Sequence, residues 1–586
     1  MSISGQGNSI TFVSAYFTLR ETPYFTHHHI HTWNPEWLMD IVALGVPVCL
    51  YIGKDCPHEN LFLEWETSYP NFRVMSYRVD YRESWVHLKC IESLETGTPV
   101  GLPNKRNYDK DTYEYLVYMN SRVELMEDAL SENIWETTHF AWVDFNLTSL
   151  FKDKETTLDW LLQLSRGYLA PTVLAMPGCW AKLTNLDSLG TEISWRFCGG
   201  FFLGDADSLY DFGEQYRTHF ATFLAKYRCL PWEVNFWAYL ESAHGWTPTW
   251  YKGDHNDTMV CVSADAYTQG LGDTPIRKIQ YDYPDIPGFY PGSASHVYHG
   301  GKHWLNTRYV SYWMYPNGYY RFQTADRVIE NLNVVVELDP DTQQPVGDFA
   351  EMGAVLDGSG HPLAATRPKD DKARHFSEGL EDIRMYSCGD QIRFVATTVN
   401  YSPNGRPRIM VGTYLAENRE YRDCRIIHPP SETWCEKNWI PLPKQTSGGQ
   451  WEEWFVYKWH PFELGQIHDD TLRIERRHAT PAEPFSKIRG SSTFVDYGDG
   501  QHWVGVVHFS EEHTPRHYYH MLVLLDRETF RPTRYSRTFY FEKLSIEFCI
   551  GFGVRNDTYG FWISRFDRDP LYLEVAKADI PLTFVA

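Results

Sequence analysis

The first chemically suggestive stretch is a strand-like run, His139-Phe-Ala-Trp-Val143, that ends in Asp144-Phe-Asn146. An acid, a spacer and a second oxygen ligand just past a buried strand can offer two oxygens to one hard cation. Manganese or magnesium held there would neutralise a leaving diphosphate. Asp and Asn also simply start turns, so the motif gains weight from its neighbours. Cys198-Gly199-Gly200-Phe201 places paired glycines before an apolar strand, where backbone can approach a ligand closely. Trp232-Glu233-Val-Asn235-Phe-Trp237 sets Glu233 and Trp237 one turn apart on a helix. Trp250-Tyr-Lys252-Gly-Asp254-His255-Asn256-Asp257 collects a histidine, acids and an amide in one loop. There His255 could close a metal or diphosphate site, and Lys252 could meet phosphate.

A second group lies further on. Gly379-Leu-Glu381-Asp382-Ile-Arg384, Cys435-Glu436-Lys437-Asn438-Trp439, Tyr457-Lys458-Trp459-His460-Pro461 and Arg489-Gly-Ser-Ser-Thr493 follow in order, then His508, His520 and Glu547. Each lies near the start or end of a strand-like run. Gathered on one axis, Arg384, Lys437, Lys458 and Arg489 would form a basic floor for phosphate, a carboxylated sugar or a nucleotide diphosphate. The same cations can pair instead with the chain's own Asp382, Glu436 and Glu547. Trp439, Trp459 and His460 stand close by and suit sugar stacking. The triplet His27-His28-His29 with His31 looks like a metal cluster, but adjacent residues on a regular element do not point at one ion. It reads as a surface loop or a helix start.

The elements that must position these residues fall into two grammars. Residues 10–262 alternate apolar strands, such as Ile10–Tyr16 and Val46–Ile52, with helices. The clearest helix runs over 207–227, with Leu209, Phe212, Tyr216, Phe220 and Phe223 on one face. That pattern predicts a sheet covered on both sides. From Gly270-Leu-Gly-Asp-Thr-Pro275 onward, short strands punctuated by Gly, Pro, Asn and Asp take over. A stretch this long suits a propeller of five blades. The fold class expected is therefore multidomain: an α/β domain over 1–265 and an all-β five-bladed propeller over 275–586.

Composition narrows the partners. The chain has 586 residues, 54 Lys and Arg against 76 Asp and Glu, and a net charge of −22. Phosphate backbones and anionic membranes repel such a polyanion, so neither is an expected partner. Aromatics reach 16% of the chain, which suits β architecture and sugar-facing surfaces. The longest uncharged apolar run, 41–53, is well short of the roughly 20 residues a spanning helix needs. The start shows no secretory signal, and the 11 cysteines are scattered without a CxxC pair. Both features fit a cytoplasmic protein with reduced thiols. Nothing in the sequence sets an oligomeric state.

In this order the N-terminal motifs resemble the bacterial HtrL/YibB family and, through it, the metal-dependent GT-A glycosyltransferases. The resemblance rests on Thr11-Phe-Val13-Ser-Ala15-Tyr16 with Arg20, the helix with Asn120 and Arg122, Ala141-Trp-Val-Asp144, Cys198-Gly-Gly-Phe201 with Gly204, and Trp232-Glu-Val-Asn235. It implies that Thr11, Val13, Ala15, Arg20, Arg122 and Lys252 lie beside a UDP- or GDP-sugar. It implies Asp144, Asn146 and His255 on a Mn²⁺ or Mg²⁺ ion, Gly199 and Gly200 along the donor sugar, and Glu233 as base toward a glycan or glycoprotein acceptor. Asp144-x-Asn146 replaces the family's two-Asp motif. The C-terminal half resembles five-bladed propellers of the β-mannoside phosphorylase and hydrolase type. Gly379-Leu-Glu-Asp-Ile-Arg384 matches that family's Gly-x-Glu-Asp-Pro-Arg, with Ile383 in place of Pro, and Lys437-Asn438 matches its Lys-Asn turn. The expectation is a metal-dependent glycosyltransferase whose propeller binds acceptor or carries a second glycan site. The alternatives are a phosphorylase or hydrolase centred in the propeller, or a glycan-binding protein with an inactive transferase domain.

Overall fold

A computed structural model describes residues 9–17, 24–25, 30–31, 34–366 and 376–586. Arg20 and the His27-His28-His29 triplet lie outside the described residues. The chain divides into two compact units, Met1–Tyr267 and Thr268–Ala586. Among the described residues no helix is long and apolar enough to cross a membrane.

The first unit is built on seven strands: β1 (Ile10–Tyr16), β2 (Val48–Gly53), β3 (Phe72–Val79), β4 (His139–Val143), β5 (Leu174–Gly178), β6 (Phe201–Asp205) and β7 (Thr249–Lys252). Their order in the sheet is β3-β2-β1-β4-β6-β5-β7. β1 pairs in parallel with β2 and β4, whereas β6 runs antiparallel to both β4 and β5. β1, β2 and β4 are buried along their whole length, as expected for a sheet with helices on both faces. Four helices matter below: α1 (Tyr113–Asn120), α2 (Arg122–Glu132), α3 (Ala206–Tyr227) and α4 (Glu233–Ala243). α3 starts where Asp205 ends β6, because the Asp205 carboxylate accepts the amide of Ser208. Its buried face carries Leu209, Phe212, Tyr216, Phe220 and Phe223.

The topology puts one strand reversal beside the centre of the sheet. β6 enters next to the point where β4 leaves, so Val143 faces Phe201 and the amide of Asp144 donates to Gly200 O at 2.9 Å. Asp144 and the Gly199-Gly200 pair are thereby neighbours, although 55 residues of chain separate them.

The second unit is all-β and propeller-like. Four of its sheets follow an antiparallel path of four strands, the first with the short Ser377–Glu378 strand added in parallel. One holds Tyr290–His299, Lys302–Val310, Ile329–Leu338 and Pro345–Glu351, a second spans Glu381 to Ile427, and a third spans Ile440 to His478. The last holds Glu547–Arg555, Thr558–Arg565 and Arg568–Ala576, closed by Arg277–Ile279 from the start of the unit. Five regular blades were expected, and here the expectation is corrected. Apart from a small two-stranded sheet of Tyr312–Met314 and Tyr320–Phe322, the other sheet among the described residues has only two long strands, His502–Glu511 and His517–Asp526, edged by short pieces. Serine hydroxyls explain the break. Ser492 Oγ accepts the amide of Val506, and Ser536 Oγ accepts that of Leu522, each where a strand backbone would otherwise pair.

Candidate active site

A cavity of about 220 Å³ opens at the carboxyl ends of β1 and β4. Its floor is an ion-paired triad. Arg122, the first residue of α2, is 2% exposed. Its Nη1 donates to Glu233 Oε1 at 2.8 Å and to Gly199 O at 2.7 Å, and its Nη2 lies 2.7 Å from Asp144 Oδ1. The guanidinium also sits 5.3 Å from the Trp142 ring centroid. Gly199 is required here, because a Cβ would run into Glu233 Oε1 and Arg122 Nη1. Burial pushes the Glu233 carboxyl above its ordinary range, against the pull of Arg122. Burial also works against the charge on Arg122, but the carboxylates of Asp144 and Glu233 outweigh it and hold the guanidinium protonated.

Two buried amides hold this floor in place. Asn120 Nδ2 donates to Pro231 O at 2.9 Å and its Oδ1 accepts from Tyr216 OH at 2.7 Å, which fixes the start of α4 and so Trp232 and Glu233. Asn235 accepts the amide of Ser194 at 2.7 Å and donates to Leu189 O and Glu192 O, which pins the loop carrying Ile193 and Trp195 over the cavity. The sequence motif contained Asn235 without indicating this role. Lys110, Tyr115 and Trp195 also line the cavity. No spacing pattern marks them, since each comes from a separate segment.

The other expected residues divide. Ala15, Asn146, Gly199, Gly200 and His255 line the cavity together with Asp144, Glu233 and Arg122. Thr11 and Val13 do not. They are 1% and 0% exposed, and the Thr11 hydroxyl is bonded to that of Thr137 at 2.7 Å. They serve the core because only the end of β1 reaches the cavity. Lys252 is exposed and is not among the lining residues.

For a hard divalent ion the donor set is Asp144 and Asn146. Asp144 Oδ1 is taken by the indole of Trp142 at 2.8 Å and by Arg122. Among the described residues no bond is recorded to Oδ2. One free carboxylate oxygen and one amide suit Mn²⁺ or Mg²⁺ when a diphosphate supplies further oxygens. His255 lines the same cavity, and its ring nitrogen also groups with the sulfurs of Cys179 and Cys198.

In the propeller-like unit the expected cations do not share one open floor. Arg384 is 1% exposed, and its donors go to Ser491 O at 2.6 Å, Asn438 Oδ1 at 2.9 Å and Asp382 O at 3.1 Å. Burial lowers its pKa to about 10, which still leaves it charged at neutral pH. Lys437 Nζ pairs with Glu381 at 2.8 Å, and Arg308 pairs with Asp382 at 2.9 Å. Burial opposes the charge on Glu381, but Lys437 and Arg308 outweigh it and bring its pKa down to about 2. Asp567, which accepts from Tyr312 OH at 2.8 Å, completes the charged group and carried no sequence signal. Lys458 is exposed and lies 3.8 Å from Glu463, the residue opposite it on the next strand. His460 is exposed and its Nδ1 lies 3.2 Å from the Thr480 hydroxyl. Arg489 is exposed, in register with His508, and His508 is in turn opposite His520.

Glu547 is fully buried and accepts the amides of Phe541, Glu542 and Lys543, so its oxygens serve backbone rather than a sugar. His520 is fully buried beside the rings of Phe539 and Phe541, and burial lowers its pKa to about 3. Trp439 and Trp459 are core residues, 1% and 5% exposed, and cannot stack on a sugar; Glu436 is taken by the Trp439 indole at 2.8 Å. The open space lies elsewhere. A cavity of about 660 Å³ is lined from five of the six sheets found among the described residues of this unit, by Tyr386, Trp451, Trp503, Phe552 and Trp562 among others. At its wall His296 is hydrogen-bonded to His303 at 2.9 Å, and burial with that neighbour lowers its pKa to about 3.

No family model matches the chain. No curated protein matches it either. Among solved structures, a β-1,2-mannobiose phosphorylase from Listeria innocua aligns at 11% identity over 52% of this chain and 98% of its own, with a TM-score of 0.34. A mannose phosphorylase from Leishmania mexicana, solved with phosphate, aligns at 12% identity over 53% and 93%, with a TM-score of 0.33. A GDP-Man-dependent mannosyltransferase from Leishmania mexicana aligns at 8% identity over 52% and 91%, with a TM-score of 0.34. Likenesses with TM-scores this low carry no argument about fold or activity.

Proposed function

We propose that this chain is a sugar-active enzyme whose N-terminal cavity transfers a glycosyl group from a nucleotide-sugar to a hydroxyl of a glycan or glycoprotein acceptor. The observation that carries this reading is the Glu233–Arg122–Asp144 triad at the end of the central strand β4. In the strand order β3-β2-β1-β4-β6-β5-β7, β6 alone is reversed against its neighbours, and that reversal brings Gly200 beside Asp144. Glu233 is the group that takes a proton. It faces the cavity, and burial raises its proton affinity toward the range useful to a general base. Arg122 holds that carboxylate in place and offers positive charge beside the leaving group. Gly199 and Gly200 bring bare backbone to the sugar. A Mn²⁺ or Mg²⁺ ion on Asp144 and Asn146 would supply the further positive charge that a departing diphosphate needs. The test is turnover of UDP- and GDP-sugars by the full chain, with and without manganese, alongside Glu233→Gln. Release of nucleotide by the wild type and its loss in the variant supports the reading. Equal release by both refutes it.

A second reading rests on a different observation, the aromatic cavity of about 660 Å³ in the propeller-like unit. In that reading the unit cleaves or phosphorolyses a glycoside. Phosphate-dependent cleavage of a β-mannobiose, unaffected by Glu233→Gln, would identify it.

A further inference from the structure

The edge of the sheet in the first unit carries a group of side chains that sugar transfer does not use. Cys179 follows β5, Cys198 precedes β6 and His255 follows β7, so three separate segments converge. Backbone bonds hold them together. The amide of Cys179 donates to Trp195 O at 2.9 Å, that of Cys198 to Pro177 O at 2.8 Å, and that of Gly253 to Gly178 O at 3.0 Å. Gly178 is needed for the approach, because a Cβ there would collide with the carbonyl of Arg196. The two sulfurs lie 3.5 Å apart, and each is within 4.8 Å of a ring nitrogen of His255. Asp254 Oδ1 lies 3.4 Å from Cys179 Sγ and 3.3 Å from His255 Nδ1. The Trp195 ring packs edge-on against His255 at 4.5 Å.

We propose that Cys179, Cys198 and His255 bind a thiophilic divalent ion of the zinc class, with Asp254 Oδ1 accepting from His255 Nδ1 and so orienting the ring. Metal–sulfur bonds of about 2.3 Å at tetrahedral angles set two sulfurs about 3.8 Å apart, so the observed pair needs only a small adjustment. Two thiolates cancel the charge of the dication. Cys198 is buried, Cys179 half-buried and His255 exposed, so the ion has protein on one side and an entry path on the other. Three protein ligands leave a fourth position open to water or to a bound molecule. His255 also lines the cavity, whereas neither cysteine does. This soft-donor site is distinct from the oxygen pair of Asp144 and Asn146 and does not rest on the transfer reading.

Cobalt(II) is the direct probe. The full-length protein, stripped with a chelator under reducing conditions, is titrated with Co²⁺. One ion per chain is expected, with a thiolate-to-cobalt charge-transfer band in the near ultraviolet that Zn²⁺ abolishes. Cys179→Ser and Cys198→Ser should each halve that band or remove it. Asp254→Ala should weaken binding by about ten- to a hundredfold. Cys435→Ser, in the other unit, should change nothing. The partly exposed Cys179 keeps the test decisive if the Cys198 variant does not fold. A wild type without a stoichiometric band, or a band untouched by Cys179→Ser, overturns the assignment. So does a Cys179–Cys198 disulfide that forms in the reduced protein's place and persists in excess zinc.

Discussion

Arg122 answers to two carboxylates at once, and that makes it the residue with the most separable effects. Glu233→Gln removes the proton acceptor but keeps a side chain of the same shape. Turnover should fall by about a hundredfold or more, with the melting temperature nearly unchanged. Because burial raises the Glu233 pKa, the acidic limb of kcat/KM should lie above the ordinary glutamate value of about 4.3. A limb at or below that value would remove Glu233 from the role. Arg122→Ala has a different signature. It leaves Asp144 and Glu233 facing each other without a cation, which should cost about 3 kcal/mol. Urea unfolding of the first unit measures it, and a loss below about 1 kcal/mol would show that the triad is not structurally coupled.

Between elements, the decisive contacts are those where one strand's end meets another's beginning. Gly200 O accepts the amide of Asp144 just past β4, and Gly199, just before β6, puts no side chain between Glu233 and Arg122. Gly199→Ala should therefore lower kcat at least tenfold by displacing Glu233, a loss read directly in a turnover assay. In the propeller-like unit, Glu381 ties neighbouring sheets through Lys437 and Arg308. Its pKa is depressed to about 2, so the unfolded chain binds its proton more readily. The stabilisation is present above about pH 4.5 and is lost as pH falls toward 2. Stability should fall over that window, and Glu381→Gln should flatten the fall. Chemical denaturation at pH 6, 4.5 and 3 provides the comparison, and parallel curves for wild type and variant would contradict it.

For the molecule as a whole, two compact units predict two cooperative transitions. Fragments Met1–Tyr267 and Thr268–Ala586 should each melt cooperatively when produced alone. A nucleotide-sugar at 100 times its dissociation constant should stabilise the first fragment by about 2.7 kcal/mol and leave the second unmoved. Calorimetry of both fragments with UDP- and GDP-sugars checks this, and stabilisation of the second fragment alone would move the donor site into the propeller-like unit.

The local features were legible because they depend on short-range rules. Apolar strands, the 3.6-residue face of α3, and the glycine pair before β6 are written in neighbouring residues. So was the positioning of Glu233 at the start of a helix. What a single strand's sequence does not carry is which strand it will pair with. The reversal of β6 beside β4 brings Gly200 to Asp144, and the starts of α2 and α4 meet to bring Arg122 to Glu233; pairings at such sequence distances are set by the packing of the whole unit. The same reason separates Thr11 and Val13 from the cavity and brings His255 beside two cysteines that no spacing in the sequence linked to it. In the propeller-like unit the charged residues were visible, but their partners were not. Arg384 looks like a ligand-binding cation in the sequence; tertiary packing buries it among Ser491, Asn438 and Asp382, where water is excluded and its donors must be satisfied by protein.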